Sequence, residues 1–255
     1  MTTGPRKFHD FCWTNMLTPQ PARAQEFFTK VLGWSYGEIP GMGHLLKVDG
    51  HNMGAMFDTE GQFSMQGAPP HIGVLIKVAD VDATAARVNA LGGKAQAPFD
   101  VGPNGRMAVC FDPSGANFDV WQEGQQATRT DDSTHHGAAS WFECLTTDPA
   151  ACVSFYTELF GWTTRVMSMP GFEYTVFALD GAPVAGCMIL MPESGGTKPH
   201  WSTVFTIDDA DKAAALTAEL GGTVIMPPHD VPGVGRASVL KSPQGVVFQV
   251  IKYSS

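Results

Sequence analysis

The stretch CWTNMLTPQPARAQEFFTKVLGW, residues 12–34, decides the fold, because it is written again as SWFECLTTDPAACVSFYTELFGW at 140–162. Trp13, Leu17, Thr18, Pro21, Phe27, Gly33 and Trp34 recur as Trp141, Leu145, Thr146, Pro149, Phe155, Gly161 and Trp162 at a constant offset of 128. Outward from there, PHIGVLIKVADVDATAARVNALGG (70–93) pairs with PHWSTVFTIDDADKAAALTAELGG (199–222). FDVGPNGRMAVCFDPSGANFDV (99–120) pairs with HDVPGVGRASVLKSPQGVVFQV (229–250). A long-period repeat of this kind means one folding unit used twice. The copies span residues 8–124 and 137–253, and the polar stretch at 125–136 reads as a linker, with Asp131, Asp132, His135 and His136 in solvent.

Within a copy, residues 9–16 alternate as a strand. Pro21 opens an amphipathic helix to about Leu32, and Gly33 stops it. Short strands follow near 34–39, 43–48 and 53–57. A second round begins with strand 71–78, continues in an Ala-rich helix after Asp80 that ends at Leu91-Gly92-Gly93, and finishes in strands near 94–98, 106–111 and 116–121. Each copy is therefore βαβββ–βαβββ, an α+β unit with a cupped mixed sheet and its helices outside. The three strands after each helix argue against a ferredoxin-like sandwich.

The 255 residues carry a net charge of −9, with 44% hydrophobic and 16% charged residues. An acidic surface repels phosphate backbones and anionic lipid, so neither nucleic acid nor membrane is an expected partner. No apolar run reaches the ~20 residues that span a bilayer. Cys12, Cys110, Cys144, Cys152 and Cys187 are scattered and odd in number, which fits reduced thiols in a cytoplasm. The Gly-rich stretches lack phosphate-loop spacing, and no Gly-x-Ser-x-Gly elbow is present.

The order of elements, FFTKVLGW or FYTELFGW closing the first helix, Asp80-Val81-Asp82 opening the second and DPSGANFDV closing the unit resemble the vicinal oxygen chelate superfamily of glyoxalases, bleomycin-resistance proteins and extradiol dioxygenases. The tandem form resembles bacterial double-domain glyoxalase-like proteins. The resemblance implies lyase, isomerase or dioxygenase chemistry on a divalent metal held inside each cup. Carried onto this chain, its ligand positions fall on Trp13, Gly73 and Asp119 in the first copy and Trp141, Ser202 and Gln249 in the second. The end of the first module reads GHNMGAMF or PVAGCMIL and offers no acid. A divalent ion needs several N, O or S donors near ~2 Å, and neither indole nor glycine supplies one. The sequence therefore predicts no metal of the family's kind and no other cofactor.

What remains is a small-molecule pocket or a filled core. Strand alternation puts His9, Phe11, Trp13 and Asn15 on one face, and Trp141 with Glu143 on its counterpart. Asp119 and Gln249 project toward the same spaces. An aromatic wall with a few polar groups is how ligand pockets are built, although either Trp can equally plug the cup. Glu143 and Asp119 are the candidates for acid–base work, since a carboxyl away from water holds its proton toward neutral pH. His71 and His200 recur two residues before a family ligand position; either they meet a ligand, with His9, His71 and Asp119 as an alternative metal group, or each pairs with a turn carbonyl. Arg106 and Arg236 can hold an anionic ligand bidentately, or pair with Asp100 and Asp230. The expected function is binding of a small apolar or aromatic molecule, by a monomer whose two copies pair as a dimer would.

Overall fold

The computed structural model describes residues 4–61, 68–125, 128–169, 171–190 and 198–254. The first half folds as β1 (Phe11–Thr18), α1 (Pro21–Leu32), β2 (Ser35–Ile39), β3 (Gly43–Val48), β4 (His51–Asp58), β5 (His71–Lys77), α2 (Val81–Ala90), β6 (Lys94–Ala95), β7 (Phe99–Asp100), β8 (Gly105–Phe111) and β9 (Asn117–Glu123). The second half repeats it as β10 (Ala139–Thr146), α3 (Pro149–Phe160), β11 (Thr163–Met169), β12 (Phe172–Leu179), β13 (Ala182–Ile189), β14 (His200–Thr206), α4 (Ala210–Glu219), β15 (Thr223–Val231), β16 (Gly235–Lys241) and β17 (Val247–Tyr253). The sheets run β2-β3-β4-β1-β5-β9-β8-β6, with β7 on β8, and β11-β12-β13-β10-β14-β17-β16-β15. Modules meet where β1 pairs antiparallel with β5 and β10 with β14.

One expected face differs. A bulge between Phe11 and Trp13 adds a residue to β1, and β10 has the same irregularity between Ala139 and Trp141. A bulge breaks the two-residue alternation. Trp13 and Asn15 face the cup as expected, but Phe11 turns to the other side and stacks on Phe142 with ring centroids 4.0 Å apart.

The halves share a single apolar core. Phe28 of α1 packs edge-on against Phe248 of β17, and Tyr156 of α3 packs the same way on Phe118 of β9. Trp34 Nε1 donates to the Gly137 carbonyl at 2.8 Å, and its counterpart Trp162 donates to the His9 carbonyl at 2.9 Å. Each first helix thus lies against the other half's last strand, as in a dimer made by one chain.

The linker corrects the sequence reading. Arg129 and Asp131 are each 1% exposed and form an ion pair, with Arg6 Nη2 donating to the Asp131 carbonyl at 3.1 Å. Arg129 also donates to the Ala139 carbonyl at 2.8 Å, closing the segment over the seam between halves. The segment reads as solvated because its charges are local, whereas the seam that buries their ion pair forms only when the halves meet. Asp132 is a local cap for Thr134, and His135 and His136 pair at the surface with Asp49 and Asp208. Among the described residues, no helix is long and apolar enough to cross a membrane.

Candidate functional site

The two cups have the same backbone and opposite contents. In the first, Trp13 and Asn15 on β1 border a narrow cavity of about 610 Å³ that includes its open mouth. Leu45, Phe57 and Met107 supply apolar walls, Trp121 a second indole, and Asn104 a second amide. A shallower hollow adjoins at Ile39 and Met42 and adds Glu38, His44 and Asp58 at the entrance. Trp13 is therefore a wall of the first cup.

Asp119 lies beneath this cavity. It is register partner to Leu75, which lines the cavity, and stands two residues from Trp121 on the same face of β9. It is 8% exposed, and the hydrogen bond found for it among the described residues is from Asn117 Nδ2 at 3.4 Å. Burial pushes its carboxyl up to about 7, against which the Asn117 contact pulls weakly. Such a group exchanges its proton near neutral pH.

In the second cup a polar network occupies the space. Tyr174 on β12 donates its hydroxyl to Glu143 Oε1 at 2.7 Å and accepts the Trp141 indole N–H at 2.7 Å. Gln249 Nε2 donates to Glu143 Oε2 and to Ser202 Oγ, each at 3.0 Å. Burial and the neighbouring Glu143 hold the Tyr174 hydroxyl well above its ordinary range, so it remains a donor. Trp141 and Gln249 are thus members of a plug, and Glu143 has both oxygens bonded to protein rather than facing a ligand.

Strand register explains the contrast. Asn15 pairs with Ala55, which pairs with Leu45; Glu143 pairs with Gly186, which pairs with Val176. Two residues before Leu45 stands Gly43, and two before Val176 stands Tyr174. A Cβ on Gly186 would fall inside the Tyr174 hydroxyl, so the glycine makes room for the ring. A glycine for tyrosine, with alanine instead of glycine beneath it, opens the first cup. The sequence reading missed Tyr174 and Trp121; alternation along β9 from Asp119 marks Trp121, but no local pattern marks Tyr174.

Other candidates lie outside the cups. Arg106 is bidentate to Asp82 at 2.7 and 2.9 Å and bonds Asp100 at 2.7 Å; Arg236 repeats this with Asp211 and Asp230. These guanidinium groups pin α2 and α4 to their sheets and leave no fork for a ligand anion. His71 and His200 each place Nδ1 2.8 Å from the carbonyl two residues earlier, at Pro69 and Lys198. His9 does not join His71 and Asp119: its N–H bonds the Lys77 carbonyl, while His71 starts the same strand, about 20 Å away.

The donor set does not fit a metal of the kind found in this fold. The first cup offers Asp119 among Trp13 and Gly73. In the second, Gln249 donates to both Ser202 and Glu143, and Trp141 fills the remaining place.

Residues 139–250 match the Glyoxalase/Bleomycin resistance protein/Dioxygenase superfamily, and residues 13–121 match a glyoxalase-like domain. CFP32 of Mycobacterium tuberculosis, provisionally named a glyoxylase, is 36% identical over 249 residues, covering 94% of this chain and 93% of that protein. The anthracycline biosynthesis protein DauV of a Streptomyces species is 32% identical over 259 residues, covering 94% and 92%. In fold, the chain superposes on the Mn(II)-bound glyoxalase of Novosphingobium aromaticivorans with a TM-score of 0.67 at 15% identity, covering 100% of this chain and 86% of that one. It superposes equally on 2,2',3-trihydroxybiphenyl 1,2-dioxygenase of Sphingomonas wittichii, TM-score 0.67 at 13% identity, covering 96% and 91%. The chain belongs to the glyoxalase, bleomycin-resistance and dioxygenase superfamily, with one domain of that type in each half.

Proposed function

We propose that the protein binds a planar, largely apolar aromatic molecule in the first cup, without a metal, and that the second cup is a structural counterpart. The observation that carries this reading is the exchange of Tyr174 for Gly43, which leaves one cup open and closes the other. Two indoles and several aliphatic side chains favour a flat ring system, and Asn15 and Asn104 offer amides to a hydroxyl or carbonyl on its edge. The name of one relative, an anthracycline biosynthesis protein, supports the aromatic class.

The test is calorimetric and fluorescence titration of chelator-treated protein with hydroxylated one- to four-ring aromatics. The expected outcome is saturable quenching at one ligand per chain. Trp13→Ala should weaken binding at least about tenfold, a loss of roughly 1.4 kcal/mol, and Tyr174→Phe should leave it unchanged. Binding that needs added metal, or that falls equally with Tyr174→Phe, overturns the proposal.

A catalytic reading of the same cup is favoured by Asp119, whose carboxyl near 7 suits proton transfer. Glu143 already accepts from Tyr174 and Gln249, which favours Asp119 for that role. Chromatography of the ligand after incubation separates the readings: ligand returned unchanged supports binding, and a product whose formation Asp119→Asn abolishes supports catalysis.

A further inference from the structure

Three thiols meet on the far side of the second sheet from its cup. Cys144 on β10, Cys152 on α3 and Cys187 on β13 are free and buried. Cys152 Sγ lies 3.4 Å from the sulfur of each of the other two. Asp112, from the turn between β8 and β9 of the first half, brings Oδ2 to 3.9 Å from Cys144 Sγ and is itself buried.

We propose that Cys144, Cys152, Cys187 and Asp112 hold one thiophilic divalent cation, zinc by preference, in a closed site that ties the two halves together. Thiolates and a carboxylate are the donors such an ion takes, at about 2.3 Å from sulfur and about 2.0 Å from oxygen. The ligand atoms of Asp112, Cys144 and Cys152 all lie within 4.8 Å of one another, and Cys187 Sγ stands 3.4 Å from Cys152 Sγ at the edge of this group.

The first argument is an open acceptor on Asp112. Asp112 Oδ1 is saturated by Ser114 N, Ser114 Oγ and Ala116 N. Oδ2 receives the Tyr156 hydroxyl at a long 3.3 Å, beside the Cys144 thiol. Among the described residues no Lys, Arg or His forms an ion pair with Asp112. Oδ2 therefore keeps acceptor capacity on the side that faces Cys144, where a cation held by Cys144 and Cys152 would take it.

The second argument is the chain's own internal control. Cys144 pairs with Cys187 in the second sheet, as Met16 pairs with Met56 in the first. The residue at the place of Cys152 is Ala24, and that at the place of Asp112 is Ser242. All four donors are thus specific to one of two equivalent places. The turn itself does not need the carboxylate, because Ser242 Oγ accepts the Val246 N–H in the same turn of the second half. The group that orients Oδ2 is specific as well. Tyr156 accepts the Trp201 indole N–H at 2.8 Å while bonding Asp112, where the first half has Phe28 and Ile72. Such outer bonds fix the direction of a ligating carboxylate. Each ligating thiol gives up its proton as the ion binds, and burial means that the ion enters as the chain folds.

The test uses the full chain, purified without metal-affinity resin from cells grown with added zinc, with metal measured by mass spectrometry. The same protein is also refolded under reducing conditions with Co(II). The expected result is one zinc per chain, and on refolding a near-ultraviolet thiolate-to-cobalt charge-transfer band that saturates at one equivalent. Both should vanish in the Cys144→Ala/Cys152→Ala/Cys187→Ala variant and persist in Asp119→Asn. If the triple variant does not fold, Asp112→Ser, which the second half's turn tolerates, should release metal to a competing chelator at least tenfold more readily. Wild-type protein that takes neither zinc nor cobalt, cobalt bound without the thiolate band, or metal retained equally by the variants overturns the proposal. Ligand binding in the first cup is measured separately, so either proposal can fail alone.

Discussion

Asp119 shows what a single residue costs and what that cost implies. Its carboxyl titrates near 7 in the fold against an ordinary 3.8, because burial disfavours the charged form. The folded state therefore holds a proton that the unfolded state has lost between those two values. The contribution of Asp119 to stability is fullest below pH 4, falls as pH rises toward 7, and is level above it. Asp119→Asn removes this penalty without changing shape. It should stabilise the protein at pH 8 by on the order of 3 kcal/mol, and at pH 4 by little. Urea unfolding at the two pH values checks this; an equal gain at both would show that the carboxyl is not held protonated by burial. At the equivalent place Gln249 carries no charge and joins a satisfied network, so the two halves treat the same position in opposite ways.

At the scale of elements, the two copies test one another. Helices α1 and α3 are both 12 residues long and both start at proline. Asp148 caps α3 by accepting the Ala151 N–H at 3.0 Å from an extended backbone. At the matching place Gln20 sits at φ 53 with no side-chain cap. A non-glycine residue in that left-handed region costs roughly 1–2 kcal/mol, and a missing cap leaves N–H groups without a side-chain acceptor. Gln20→Asp should therefore stabilise the protein by about 1 kcal/mol, read as a higher midpoint in thermal unfolding. A lower midpoint would mean that the contacts of Pro19 and Pro21 require the left-handed turn. The strand bulges are a second element-scale device, since they direct Phe11 into the shared core while keeping Trp13 in the cup.

The whole molecule is a pair of domains that does not come apart on paper. Phe11 on Phe142, Phe28 on Phe248 and Phe118 on Tyr156 all cross the seam, as do both indole hydrogen bonds to the other half. Aromatic pairs contribute about 0.5–1.5 kcal/mol each beyond the area they bury. The Arg129–Asp131 pair is local, but it is buried only with the seam closed, where Arg129 also donates to the Ala139 carbonyl and Arg6 to the Asp131 carbonyl. We therefore expect one cooperative calorimetric transition with matching calorimetric and van't Hoff enthalpies. Analytical ultracentrifugation should give the mass of a single chain, because the two halves already cover one another's apolar faces. Two resolved transitions, or a concentration-dependent midpoint, would contradict this.

The repeat at residues 12–34 and 140–162 determined by itself that the chain folds as two βαβββ–βαβββ units, because glycine stops, proline starts and period-two runs are local properties of the chain. Alternation also puts Trp13 and Asn15 on one face of the first strand, since it follows from backbone geometry, while the family resemblance assigns Asp119 to the same cup. Only the tertiary structure decided which cup is open. Tyr174 reaches Glu143 across strands 31 residues apart, and a glycine at 186 admits it, a relation between distant positions that no local pattern carries. For Arg106 and Arg236 the sequence offered a ligand fork or pairing with Asp100 and Asp230, and it is the pairing that forms; the further partners Asp82 and Asp211 lie 24 and 25 residues away and come near only when helix packs on sheet. The linker read as solvent-exposed because its charges are local, whereas the seam that buries Arg129 and Asp131 exists only once both copies have folded.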